Sequence, residues 1–333
     1  MKPGRILIVG FLLAAVICSW SLRADVRDEV KALVDRAEAG DPESLYTLAT
    51  LHDRGFDSIP VDSLRSTELY RQAAEKGYLP AMNYLGYRLI SGEVAAIGKD
   101  VDEGLRWLEK AAFAGDSKAA SNLGWLLLEG KYVEKDYDKA AYWLRKASDE
   151  GLVIAQSLLG DLYLEGKGVA TDSLRADSLY REAFEKGLPD AAYKLEALHS
   201  ERYDTLTAKD LVKEGRYFYL RSAPSIGVKL FYRAADFGDA EALAFLGDAY
   251  TRAIGVPYDH KLSLNYYMRA AMGGNPSAQF VIGELLEIFP DALEELKEEG
   301  LDIPSDDPFY WFEKAAEGGV TDADTATKLL LQE

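Results

Sequence analysis

Cysteine is all but missing from this 333-residue chain: the one thiol, Cys18, lies in the N-terminal apolar stretch, and the rest can form neither a disulfide framework nor a thiolate metal site. Histidine is nearly as scarce. His52, His199 and His260 lie far apart in the sequence with no local partner pattern, so neither a metal site nor an imidazole base is expected. Basic residues are outnumbered, 38 Lys and Arg against 56 Asp and Glu, for a formal net charge of −18. That sign repels a phosphate backbone, which excludes nucleic acid as a partner and disfavours a bare anionic membrane surface. Also absent are a Walker sequence, a nucleophile elbow, a paired-histidine zinc helix and a calcium loop. No catalytic residue, cofactor or metal is expected, and the chain does not read as an enzyme.

What is present begins with a secretory signal over residues 1–24. Basic Lys2 and Arg5 precede an apolar stretch from Ile6 to Ile17, and small or polar residues follow at Ser21 and Ala24, with cleavage expected after Ala24. The stretch is short and soon meets charge at Arg23 and Asp25, so no integral membrane span is expected in the mature chain. Cys18 sits where a bacterial lipoprotein would be acylated, but Ile17 stands where a small residue is wanted. A lipid anchor there is an alternative to simple export. Because the signal holds basic and no acidic residues, the mature chain is more acidic still. Hydrophobic residues at 48% supply enough apolar surface to exclude global disorder.

The main content is a repeat. An aromatic or Leu pair, then Ala, then Gly recurs in one register: Leu69-Tyr70 with Ala73 and Gly77, Trp107-Leu108 with Ala111 and Gly115, Trp143-Leu144 with Ala147 and Gly151, and Leu179-Tyr180 with Ala183 and Gly187. It resumes at Phe231-Tyr232 with Gly238, Tyr266-Tyr267 with Gly274, and Trp311-Phe312 with Gly319. A second glycine comes nine residues after the first in the pairs Gly77 and Gly86, Gly115 and Gly124, Gly151 and Gly160, Gly238 and Gly247, and Gly274 and Gly283. Apolar spacing of three and four marks helices, and a glycine just past the apolar face ends one. Asp41, Asp116, Asp239 and Asn275 follow such a glycine and are expected to cap the next helix. Mid-helix glycines such as Gly86 and Gly124 cost about 1 kcal/mol against Ala, so their recurrence predicts close helix contact. The unit is helix, loop, helix, tight turn. Face periodicity assigns Trp107, Trp143, Tyr180, Tyr232, Tyr267 and Trp311 to the core.

The run from Gly160 through Asp161-Leu162-Tyr163-Leu164-Glu165-Gly166-Lys167-Gly168-Val169, with Asp172 and then Leu179 to Ala183, resembles the Sel-one-like repeat (SLR), a relative of the tetratricopeptide repeat. The resemblance covers residues 41 to about 320. It implies an all-α fold, a right-handed α-α superhelix or solenoid of helix pairs, and a scaffold or adaptor that binds a protein or peptide through its concave groove. With the signal, it implies a bacterial periplasmic or secreted setting. Some cysteine-rich members of the family are linked to β-lactam or peptidoglycan chemistry, but this chain lacks their cysteine pairs. A cell-envelope enzyme or enzyme regulator acting on peptidoglycan, and a lipid-anchored envelope assembly factor, remain as alternatives. The enzyme reading would need a raised carboxyl in the groove, such as Asp161 beside a neighbouring unit's carboxylate.

The expected organisation is a capping helix at 25–40, four repeats at 41–187, an irregular helical insert with a degenerate repeat at 188–238, two repeats at 239–319 with an acidic insertion at 290–308, and a capping helix at 320–333. Within the insert, Ala208 to Leu220 reads as an extra helix. In tetratricopeptide geometry, positions three before and one after the first helix's glycine face the groove and share a helix face. They are Tyr46 and Thr50, Asn83 and Tyr87, Ser121 and Trp125, Ser157 and Asp161, Ala244 and Asp248, and Phe280 and Glu284. The partner-binding set is accordingly Asn83, Tyr87, Ser121, Trp125, Asp161, Asp248 and Glu284, with the aromatics as anchors and the carboxylates suited to a basic peptide or protein.

Overall fold

The computed structural model describes residues 20–57, 59–95 and 97–322. Most of the expected signal, including Cys18, and nearly all of the expected C-terminal cap lie outside the described residues. Among those described there are seventeen α-helices and no strand. They form two compact units, one ending at Ala176 and the other beginning at Asp177.

The first unit holds α1 (Trp20–Glu38), α2 (Pro42–Arg54), α3 (Ser63–Glu75), α4 (Leu79–Ser91), α5 (Val101–Phe113), α6 (Ser117–Glu129), α7 (Tyr137–Asp149) and α8 (Val153–Glu165), and α9 (Ser173–Glu185) crosses into the second. Helices pack as hairpins, α2 with α3, α4 with α5 and α6 with α7, and each hairpin stacks on the next. The caps are where the spacing predicts them. Asp41 accepts from the Ser44 amide at 2.8 Å and Asp116 from that of Ala119 at 2.8 Å, while in the second unit Asp239 and Asn275 do the same at 2.9 Å. Gly115 and Gly151, at φ 97° and 82°, make the tight turn between hairpins in a backbone conformation that a side chain would strain.

Where a first helix carries an internal glycine, as at Gly86, Gly124, Gly247 and Gly283, its hairpin partner touches the backbone there. A Cβ on Gly86 would lie 2.7 Å from the Gly104 carbonyl oxygen, and one on Gly104 would lie 2.6 Å from that of Gly86. Gly124 receives the Leu144 side chain, Gly247 the Tyr267 ring and Gly283 the Phe312 ring. Small alanines opposite, such as Ala111, Ala147 and Ala183, are wholly buried. Of the aromatics expected in the core, Trp143, Tyr180, Tyr267 and Trp311 are buried. Trp107 and Tyr232 are only half-buried. Neighbours on a helix lie about 100° apart, so where Leu108 or Phe231 takes the centre, the adjacent ring is pushed to the flank. Trp107 there donates its indole N–H to Glu103 at 3.1 Å, and Tyr232 bonds its hydroxyl to that of Tyr250 at 2.5 Å.

The second unit contains α10 (Asp190–Tyr203), α11 (Ala208–Tyr219), α12 (Pro224–Asp236), α13 (Ala240–Arg252), α14 (His260–Met272), α15 (Pro276–Ile288), α16 (Glu294–Glu298) and α17 (Pro308–Glu317). The segment read as an extra helix is α11, and it forms a full hairpin with α12. Gly215 and Gly227 meet as Gly86 and Gly104 do, with a Cβ on Gly227 lying 2.6 Å from the Gly215 oxygen. The helix without a hairpin of this kind is α10. The connection from α11 to α12 is only residues 220–223, shorter than the 92–100 connection of the α4–α5 hairpin, which hides the repeat from a fixed-period search.

Gly86→Ala should therefore destabilise the chain by about 1–2 kcal/mol in urea denaturation, because overpacking against backbone costs more than the helix propensity that Ala restores. Gly124→Ala, which meets mainly the Leu144 side chain, should cost less. A Gly86→Ala variant as stable as the parent would refute the close-contact argument.

Candidate functional site

The exposed stripe on the first helices of the first unit lies two before and one after the glycine, not three before and one after. On α4 it is Tyr84 and Tyr87, on α6 Asn122 and Trp125, and on α8 Leu158 and Asp161, each exposed or half-buried. Ser121 and Ser157, expected in the groove, are buried. A helix turns about 100° per residue, and the three-before position rotates toward the adjacent first helix. Asn83 shows this, since its side-chain oxygen accepts from Asn122 of α6 at 2.8 Å. The stripe is continuous across helices. Tyr87 and Trp125 stand with ring centroids 6.4 Å apart, and Tyr84 packs on Tyr70 at 4.5 Å, which in turn meets Tyr46 of α2 at 5.4 Å. Ile154 and Leu164 extend the exposed apolar surface along α8.

This face rests on a buried polar network that the sequence reading missed. The Arg88 guanidinium donates to Asp53 at 2.7 Å, to the Ser66 hydroxyl at 2.7 Å and to that of Thr67 at 3.1 Å. Tyr70 donates its hydroxyl to the other Asp53 oxygen at 3.1 Å, and burial pushes its ionisation well above the ordinary tyrosine range. Arg88 also lies 5.4 Å from the Tyr84 ring centroid, so one cation fixes α2, α3 and α4 and positions an exposed ring. Buried pairs of this kind are costly to break, about 3–5 kcal/mol when one partner is removed. Arg88 and Asp53 are 35 residues apart, and no local pattern signals such a pairing.

In the second unit the expected contacts fare differently. Asp248 is buried, accepting from the Tyr219 hydroxyl at 2.8 Å and paired with Arg252 at 3.4 Å, so it is withdrawn from any partner. The cause is α11, whose Tyr219 and Arg216 pack on Phe245 of α13. Ala244 and Phe280 are buried as well. Glu284 is half-buried on α15, and burial followed by the charge of Glu287 raises its carboxyl above the usual range.

His199, which has no partner pattern nearby in the sequence, finds a partner in the fold. Its Nε2 lies 2.6 Å from Asp177 of α9, and Arg181 donates to the same carboxylate at 3.0 Å. Glu214 of α11 lies 3.7 Å from Arg181. Burial lowers the His199 pKa below 6.5, with Asp177 acting in the opposite sense and Arg181 reinforcing the drop. Among the described residues no group of three or more His, Cys, Asp or Glu is arranged to hold a metal, and no helix is long and apolar enough to cross a membrane.

The family model of the Sel1 repeat matches residues 42–78, 79–116, 117–152, 153–188, 240–275 and 295–320. A stretch of 107 residues is 34% identical to the chitin synthase regulator SKT5 of Saccharomyces cerevisiae, covering 32% of this chain and 15% of that protein. Among solved structures, the chain is similar to c5321, described as a protective antigen present in uropathogenic Escherichia coli strains displaying an SLR fold. Identity is 27%, coverage 90% of this chain and 58% of that one, and the TM-score 0.48. A Sel1 repeat protein from Oxalobacter formigenes is 25% identical over 83% of this chain and 85% of its own, with a TM-score of 0.39. The chain thus spans under two thirds of both SKT5 and c5321.

The His199 cluster carries a pH dependence. The unfolded imidazole takes up its proton near pH 6.5 and the folded one only at lower pH, so the unfolded state binds more protons in between. Stability contributed by the α9–α10–α11 junction is full above about pH 6.5 and is lost as pH falls toward the folded pKa. Protection factors of α10 amides, which remove the intrinsic slowing of exchange as pH falls, should drop in excess of those elsewhere between pH 7.5 and 5.5, and His199→Gln should abolish that excess. An excess unchanged in the variant would assign it to other groups.

Proposed function

This chain belongs to the Sel1 repeat family, and we propose that it is an exported scaffold or adaptor that holds a protein or peptide against the face formed by α2, α4 and α6. Sel1 repeat proteins generally mediate protein–protein interaction. The observation that carries the proposal is the row of partly exposed rings from Tyr46 through Tyr84 and Tyr87 to Trp125, backed by the Arg88–Asp53 pair. Rings of this type bury about 150–250 Å² each and are the residues on which interface energy concentrates. Tyr84, packed beside the buried Arg88, loses little freedom when a partner covers it.

The net charge of −18 favours a basic partner. Opposite charge raises the rate of encounter, and added salt lowers it. The name of SKT5, a regulator of an enzyme, fits a role in binding and not turnover. The basic and apolar character of residues 1–24 supports export.

Tyr87→Ala combined with Trp125→Ala should leave the helical circular dichroism and unfolding midpoint near the parent's while reducing partner capture from envelope extracts roughly tenfold, the loss of one to two anchor residues. Quantitative mass spectrometry of captured proteins reads this out, and an unchanged profile would remove the α4–α6 face from consideration. Export has its own measurement. Intact-mass analysis of the full chain expressed in a bacterial host should find a mature N-terminus at Asp25, whereas an intact Met1 or a lipidated Cys18 would contradict cleavage after Ala24.

A further inference from the structure

The last hairpin departs from the others in a way the repeat does not require. Connections at 130–136, 166–172 and 253–259 join the helices of regular hairpins, but α15 and α17 are joined by 289–307, which contains α16. This insertion is anchored. Leu293 and Leu296 are buried, and Lys261 of α14 is clasped by Glu295 at 2.7 Å and Glu299 at 2.5 Å. Trp311 closes the far side by donating its indole N–H to the Ser305 carbonyl at 3.0 Å.

The insertion does not fill the space it spans. A cavity of about 300 Å³ remains between it and the ends of α14 and α15, with Leu264, Leu285 and Leu296 in its wall. Ala292 and Phe289 also line it, and Phe289 is 61% exposed beside Ile288 at 68%. Adjacent large apolar residues left in water are unfavourable unless something covers them. The polar lining is His260, Lys261 and Glu295. Since Lys261 is already held by two carboxylates, its charge is spent. Asp291, Glu294, Glu298 and Asp302 leave the surrounding insertion strongly negative.

An apolar cavity at the small end of ligand-site volumes, set in an acidic segment, selects an occupant by two features. It takes an apolar side chain, and it favours positive charge next to it. We propose that this cavity is a docking site, separate from the α4–α6 face, for an aromatic or branched aliphatic side chain flanked by lysine or arginine on a peptide partner. A second copy of this chain is a poor occupant, because a net charge of −18 opposes self-association at an acidic segment.

The probe is a fluorescein-labelled Gly-Lys-Phe-Lys-Gly peptide titrated with the full chain and read by fluorescence anisotropy. Peptides with serine for phenylalanine, or with glutamate for both lysines, should bind roughly tenfold or more weakly. Ala292→Trp, which fills the cavity from the insertion, should weaken the phenylalanine peptide by a similar factor, and Leu264→Phe, which fills it from α14, should do the same if the first variant disturbs the insertion. The Tyr87→Ala/Trp125→Ala double variant should bind it like the parent, which separates this site from the face proposed above. Equal binding of the phenylalanine and serine peptides would reduce the interaction to a diffuse acidic surface and overturn the proposal. So would a folded cavity-filling variant of unchanged affinity, and so would loss of binding in the double variant alone.

Discussion

The contact on which everything else depends is the approach of two helix backbones at a glycine. Where Gly86 and Gly104 face each other, each occupies the space a Cβ of the other would need, so the hairpin closes to a distance set by main chain and not by side-chain choice. The same backbone contact recurs at Gly215 and Gly227, while at Gly124, Gly247 and Gly283 the glycine makes room for a Leu144, Tyr267 or Phe312 side chain of the hairpin partner. With that dimension held, the outward positions of the first helices are free to vary in chemistry. A stripe of tyrosines and a tryptophan can then be displayed in one unit, and a covered surface in the other, on the same scaffold.

Much of this was legible in the sequence because it is local. Glycine nine residues after glycine, alanine before the turn and a carboxylate after it are consequences of helix ends and close packing, and they recur within a window of one hairpin. The departures were less legible because they are not local. Arg88 finds Asp53 across three helices, and Asp248 is covered by Tyr219 from an earlier hairpin. The α11–α12 hairpin keeps the glycine contact and shortens the connection, so a reading tuned to period sees an extra helix where the structure has an ordinary hairpin beside the lone α10. Of the positions expected in the groove, those one after the glycine, Tyr87, Trp125 and Asp161, are half-buried, whereas Ser121 and Ser157, three before it, are buried. A rotation of one residue separates the buried Ser121 from the half-buried Asn122, which reaches Asn83 of the adjacent helix.

The two units share a repeat yet differ in what they leave uncovered. The first presents rings on a surface stiffened by a buried cation, and the second presents a small cavity beneath an acidic insertion. Each lies where the family pattern is relaxed. Tyr84 and Tyr87 occupy outward positions with no packing duty to the hairpin, and residues 289–307 occupy a connection. Binding chemistry in such a protein is added at the margins of a motif whose interior cannot change.

The capping aspartates have a further consequence. Among the described residues, Asp41, Asp62, Asp100, Asp116, Asp136, Asp172, Asp239, Asp259 and Asp307 each accept from a backbone amide at the start of a helix. The Lys139 amide lowers the carboxyl pKa of Asp136, and the Ser44 hydroxyl, followed by the Ser44 amide, lowers that of Asp41. Part of the acidity is thus architectural: most hairpins in the stack carry at least one anionic helix start, the α11–α12 hairpin, which starts at Thr207 and Ala223, being an exception. Lengthening the array with aspartate caps makes the protein more anionic whether or not its partner calls for it, and the uncharged caps Asn275 and Thr207 show the alternative that leaves the charge unchanged.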